Sequence, residues 1–270
     1  MSTKERAARS AAKAKTGKAA GAERKESVWL SYTKAEKKEV ETIAQGYRSF
    51  LTTCKTERES VTETIRQAEA AGYVELSRAT RRGRKLRPGD KVYTVGMKKT
   101  IALFHIGSAS LEQGLSILGA HIDSCRLDLK QNPLYEDGGL AFFDTHYYGG
   151  IKKYQWVALP LALHGVVVKK DGRVVEVKLG EGEDDPVFCV TDLLPHLAQE
   201  QMEKKAAKVV EGENLDVLVG SLPLAKKEKD AVKFGVLALL KEQYGISEDD
   251  FLSAELSLVP AGRAHEMGFD

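Results

Sequence analysis

Between Leu127 and about Gly180 the chain is broken at short intervals by turn-forming groups: Asn132-Pro133, Asp137-Gly138-Gly139, Gly149-Gly150 and Asp171-Gly172. The pieces between them, Leu140–Phe143, Trp156–Leu163, Gly165–Lys170 and Val174–Leu179, are rich in valine, leucine and aromatic residues. Glycine supplies the left-handed backbone that tight turns need, and proline removes a ladder donor. Breaks at this frequency leave room for strands and hairpins but not for helices, so the stretch is expected to be an all-β unit.

The flanks read differently. Thr33-Lys-Ala-Glu36 and Thr56-Glu-Arg-Glu59 are capping boxes, in which hydroxyl and carboxylate satisfy orphan N–H groups reciprocally. The first opens a helix with Val40, Ile43, Ala44, Tyr47, Leu51 and Cys54 on one face, and the second a helix with Val61, Ile65 and Ala68 inward and Gly72 at its end. Lys91–Val95 and Thr100–His105 flank a turn at Gly96–Lys99 and suggest a hairpin. Gly114–Ala120 is continuously apolar, as a central strand of a covered sheet would be. Helices are expected over Asp192–Lys204 and over Asp230–Tyr244, the latter with Asp230 as N-cap and Gly245 as C-cap. Leu252–Leu258 alternates as a half-buried strand does.

At 270 residues the chain can form one large or two modest domains. Its net charge of +2 conceals an asymmetry. Eight lysines and arginines against three glutamates leave residues 1–26 at +5, so the remainder carries −3. That leading stretch has no apolar side chain larger than alanine after Met1 and is expected to be a disordered basic tail over residues 1–27. The folded body offers no basic face for nucleic acid, and no apolar run approaches the roughly 20 residues that span a bilayer. Three widely spaced cysteines, 54, 125 and 189, suit free thiols in a reducing cytoplasm.

The chemistry centres on His121-Ile122-Asp123, at the exit of the apolar Gly114–Ala120 run. In open α/β sheets ligands bind beyond the carboxyl ends of strands. Residues i and i+2 of an extended segment point the same way, so Asp123 can orient a metal-ligating imidazole or support its site. The bland alternative is a histidine satisfied by local hydrogen bonds, with Asp123 capping a turn. His196, at the start of the expected 192–204 helix, faces either a pocket or solvent. His146 reads as part of a packed turn, and His105, His164 and His265 as structural. No Gly-x-Ser-x-Gly elbow is present, Ser124 shows no paired base, and Cys125 reads as a small buried residue. The acids of Glu181–Asp185 read as a solvated loop.

Several motifs in a fixed order resemble one family: Gly119-Ala-His-Ile-Asp-Ser124, Arg126-Leu-Asp-Leu-Lys130, Tyr148-Gly-Gly150, Val187–Ala198 and Asp250–Ala261. Together they are similar to the aspartyl aminopeptidase/aminopeptidase I family of zinc exopeptidases, especially its bacterial aminopeptidase I-like branch. The likeness runs over about residues 30–270, a little over the N-terminal half of a complete member. It implies an α/β fold in which a zinc-exopeptidase-like catalytic sheet with helices is interrupted by a β-rich dimerisation domain, the catalytic domain being incomplete here. The implied boundaries are 28–126 for the first catalytic part, 127–249 for the insertion, and 250–270 for re-entry into the catalytic sheet through the 252–259 strand.

The resemblance further implies a centre of two zinc ions, other divalent metals also being suited, with His121 as a metal ligand and Asp123 as the carboxylate that orients it. His196 is the candidate for a substrate-contacting histidine that reaches a neighbouring subunit's site, although Glu200 stands one helical turn on. Cys125 departs from the proline that usually follows His-x-Asp-Ser. The bridging aspartate, the glutamate pair and the remaining ligands would lie beyond Asp270. The expectation is a cytoplasmic, homo-oligomeric metalloaminopeptidase acting on peptides, present as a fragment inactive by itself. The alternative is a truncated, non-catalytic homologue that serves as an oligomerisation or binding module.

Overall fold

The computed structural model describes residues 26–224 and 229–269. The basic stretch before residue 26, expected to stay unfolded, lies outside them. The chain divides into a small unit ending at Gly46 and a large unit, residues 47–270, and all strands belong to the latter.

Helix α1, Lys34–Thr53, starts on its expected capping box, with Glu36 Oε2 accepting from the Thr33 amide at 2.7 Å. Helix α2, Glu57–Ala70, does the same through Thr56 and Glu59. It ends as expected near Gly72, whose φ of 86° lets the Tyr73 amide turn back to Ala68 O at 2.9 Å. Val61 and Ala68 bury the inner face of α2. On α1 no residue is buried; Ile43, Tyr47 and Leu51 of its apolar face stay exposed, and Val40 and Ala44 are half-buried.

Strands β1 (Val74–Glu75), β2 (Lys91–Gly96) and β3 (Thr100–His105) make a small sheet that contains the expected hairpin, with helix α3, Leu76–Ala79, between β1 and β2. The larger sheet comprises β4 (Arg126–Asp137), β5 (Leu140–Tyr148), β6 (Leu161–Val168), β7 (Val174–Leu179), β8 (Cys189–Val190), β9 (Val217–Gly220) and β10 (Ala254–Pro260). Their order is β7-β6-β10-β4-β5-β9-β8, every neighbour antiparallel. The β-rich stretch is thus as expected, with two local differences. Asn132-Pro133 is not a break but a register shift within β4, where a missing donor is tolerated. His164-Gly165 does not separate two strands either, because β6 runs straight through. Gly165 (φ 142°) lies opposite Leu256, so close that a Cβ would collide with the Glu255 carbonyl oxygen.

Two other expectations are corrected. Gly114–Ala120 forms no strand, and Leu115, Ile117 and Leu118 are exposed. A central strand is stable only with ladders on both sides, and no described strand pairs with this run. The strand expected over 252–259 does form, as β10, and pairs with β6 and β4 in the middle of the larger sheet. The helix expected over 192–204 shrinks to α4, Gln199–Met202, preceded by turns. Leu193, Leu194 and Leu197 are exposed, so that segment lacks the buried face that holds most protein helices together.

Helix α5, Ala231–Tyr244, ends as expected on left-handed Gly245. Its N-cap is a correction. Asp230 makes no capping bond; the Glu136 carboxylate from β4 accepts from the Val232 and Lys233 amides at 2.8 and 3.0 Å. A carboxylate there also complements the helix dipole. Leu127, Phe143, Leu161, Leu163 and Leu258 are almost fully buried, and the main core cluster lies entirely between Leu127 and Leu258.

Helix α2 is tied to this sheet by a buried polar cluster. His164 on β6 has no exposed surface; its Nδ1 lies 2.8 Å from Glu59 and its Nε2 3.1 Å from Glu181. This puts a proton on each ring nitrogen, or one on a carboxylate. Glu59 simultaneously accepts from the Lys55 and Thr56 amides at 2.8 and 3.0 Å. The acids at 181–185 are therefore not merely solvated. Glu181 belongs to the cluster, and Asp185 Oδ2 accepts the amides of Gly180, Glu181 and Gly182.

Candidate metal centre

His121 and Asp123 lie in the extended segment that leads into β4. The structure brings them together. His121 Nδ1 is 3.0 Å from the main-chain oxygen of Asp123 and 3.4 Å from its carboxylate Oδ1. A carbonyl oxygen can only accept, so Nδ1 carries the proton in this bond, and in the neutral ring Nε2 then keeps its lone pair. The His121 side chain is 84% exposed, which leaves that lone pair accessible. The main-chain contact, rather than the carboxylate the sequence pointed to, is the shorter of the two that orient the ring.

The Asp123 carboxylate is engaged on its other side. Tyr148 at the end of β5 donates its hydroxyl to Oδ2 at 3.1 Å. This hydrogen bond is the main reason the Asp123 carboxyl is held below its ordinary range, and the same bond raises the Tyr148 phenol. Arg126, the first residue of β4, lies against the Tyr148 ring, its Cζ 4.0 Å from the centroid. Its guanidinium also donates to Ser124 O at 3.3 Å and to Asp128 at 2.7 Å, and pairs with Glu57 of α2 at 2.9 Å.

Sequence reasoning did not assign Tyr148, Arg126 and Glu57 a role. Tyr148 and Arg126 stand inside the motifs of the resemblance, but no spacing rule links a β5 terminus to a His-x-Asp turn. Cys125 is exposed rather than buried, with its Sγ 3.8 Å from Gly150 O. His196 lies on an exposed turn, and no described hydrogen bond or ion pair joins it to His121 or Asp123.

A neutral imidazole nitrogen and a nearby carboxylate are donors that zinc accepts, and the fixed Nδ1–H is the arrangement a zinc-ligating histidine needs. The residues fit one edge of a zinc site. Among the described residues no group of three or more His, Cys, Asp and Glu side chains is arranged to hold a metal ion.

Comparison with known proteins identifies the family in which this fold and motif occur. Residues 50–270 match the family described as aminopeptidase I zinc metalloprotease (M18). The chain is 56% identical to the "Probable M18 family aminopeptidase 1" of Clostridium acetobutylicum, over 90% of this chain and 52% of that protein. The crystal structure of an M18 aminopeptidase from Thermotoga maritima superposes with a TM-score of 0.80 at 43% identity, covering 88% of this chain and 51% of the other. For aminopeptidase I from C. acetobutylicum the TM-score is 0.79 at 52% identity, with 92% and 55% covered. The chain belongs to the M18 aminopeptidase family, and it spans about half the length of these relatives.

Proposed function

We propose that this chain carries the amino-terminal part of a zinc aminopeptidase that releases N-terminal residues from peptides, with His121 as its first metal ligand. The hydrogen bond from His121 Nδ1 to the Asp123 carbonyl carries this reading, because it presents Nε2 as a free donor inside the segment matched to the family. A zinc ion there would supply Lewis acidity, polarising the scissile carbonyl and lowering the pKa of an attacking water toward about 7. The chain's own part is to hold the imidazole in one tautomer, with Asp123 anchoring the turn. A second zinc or another divalent ion would need ligands beyond this pair. Among the described residues no hydrogen bond or ion pair joins His196 to His121; its proposed role is to meet peptide at the site of a second copy in an oligomer. The three free cysteines suit a cytoplasmic setting, and no helix among the described residues is long and apolar enough to cross a membrane.

One histidine and one aspartate do not place a metal and a general base around a peptide bond. The 270 residues alone are therefore expected to be inactive. Purified chain given zinc, manganese or cobalt should hydrolyse aminoacyl p-nitroanilides no faster than a His121→Ala control. Metal-dependent turnover that this control lacks would overturn the expectation of inactivity.

One observation favours a second reading, a non-catalytic assembly module: the main core cluster lies wholly within the β-rich stretch, residues 127–258. Self-association that persists in the His121→Ala variant and without zinc, measured by light scattering, would support it. A strictly monomeric chain would count against it.

A further inference from the structure

The support beneath the His-x-Asp turn is graded from a buried base to an exposed tip. At the base, His164 fixes the first turn of α2 through Glu59. That turn delivers Glu57 to Arg126, whose side chain is only 9% exposed. Arg126 is further fixed by Asp128, which itself accepts from Ser257 of β10 at 2.6 Å. From this position the guanidinium reaches the Ser124 carbonyl on the turn directly, and stacks on the Tyr148 ring at the end of β5. Tyr148 then carries its hydroxyl to Asp123 Oδ2. Asp123 and His121 at the tip have side chains 40% and 84% exposed. The turn has no strand partner, and of its residues only Ile122 and Asp123 are half-buried. These two tethers link Asp123 and Ser124 to the folded sheet, beside a longer contact from Cys125 Sγ to Gly150 O at 3.8 Å.

We propose that Tyr148 and Arg126 are positioning residues for the metal centre: they hold the Asp123–Ser124 turn so that the Asp123 carbonyl faces His121 Nδ1 and fixes the imidazole with Nε2 free. Glu57 acts one step behind, by orienting Arg126. The inference rests on the zinc reading for its purpose but not for its geometry. Planarity matters at Arg126, since a lysine can neither stack on the ring nor span Ser124, Asp128 and Glu57 at once. At Tyr148 the hydroxyl matters, and phenylalanine preserves the stacking surface while removing the tether.

The test uses the full chain, labelled with 15N and free of metal, in which long-range 1H–15N spectra at alkaline pH report the tautomer of each histidine. A His121→Ala spectrum assigns the signal. Wild type should show His121 mainly as the Nδ1–H form. Tyr148→Phe and Arg126→Lys should lose that majority, whereas the signal of buried His164 stays unchanged and certifies the fold. Retention of the Nδ1–H majority in both variants, with His164 unchanged, would overturn the proposal. So would a wild-type His121 without that majority. The zinc reading fails by a separate route: if a reconstituted enzyme is indifferent to His121→Ala, the ligand assignment falls, while the metal-free tautomer result still stands or falls alone.

Discussion

Glu59→Ala should be the most informative single change in the buried cluster. The carboxylate accepts four bonds: the Lys55 amide at 2.8 Å, the Thr56 amide at 3.0 Å, the Thr56 hydroxyl at 3.2 Å and His164 Nδ1 at 2.8 Å. Removing a helix cap costs about 1 kcal/mol. Loss of a hydrogen bond to a charged group costs about 2 kcal/mol more where the partner is left buried, and His164 has no exposed surface. The expected loss is therefore about 3 kcal/mol, a large share of the roughly 5–15 kcal/mol that holds a domain together. Equilibrium urea unfolding followed through Trp156, which is buried in the core, should show a lower midpoint with an unchanged slope.

The effect should depend on pH in a defined direction. Burial pushes the Glu59 carboxyl up, but bonding and charge from His164, with the Lys55 amide and Thr56 hydroxyl, outweigh it and leave it below its ordinary 4.5. A depressed carboxyl contributes stability above its unfolded value and loses it as pH falls through the folded one. The gap between wild type and variant should be full at neutral pH and shrink below about pH 4.5. A loss under about 0.5 kcal/mol at neutral pH, the range of an ordinary surface change, would refute the reasoning.

Three further outcomes are expected. Phe143→Ala, which empties a site only 1% exposed, should cost about 3–5 kcal/mol in the same unfolding assay. Glu136→Ala should cost about 1 kcal/mol in thermal unfolding and speed amide exchange in the first turn of α5, because its carboxylate caps that helix from β4. Burial pushes the Asp250 carboxyl up, but Lys169 and two Ser247 bonds hold it at about 2. Acid titration of stability should therefore show wild type losing a contribution between about pH 4 and pH 2 that Asp250→Asn lacks.

What was legible in the sequence follows from the range of the forces involved. The Thr56–Glu59 box, the turn at Gly72 and the cap at Gly245 involve residues a few positions apart, so composition alone located them. The cap of α5 was missed because Glu136 lies 96 residues from Val232. The alternation over Leu252–Leu258 correctly marked a strand, but pattern does not say which sheet receives it. Gly114–Ala120 carries the composition of a covered strand, and composition cannot provide the neighbours that would cover it. At the candidate centre His121 and Asp123 were readable as a local motif. The tether from Tyr148 was not, since it joins the end of β5 to a turn 25 residues earlier.

Reconstitution tests the central claim most directly. The purified chain would be mixed with a polypeptide covering the part of the C. acetobutylicum relative that lies beyond the match, and peptide hydrolysis would be followed with and without a chelator. The account predicts chelator-sensitive release of N-terminal residues by the mixture, falling by roughly a hundredfold or more when His121→Ala replaces the wild-type chain. A mixture that forms the complex yet stays inactive, or one whose activity ignores the His121→Ala change, would contradict it.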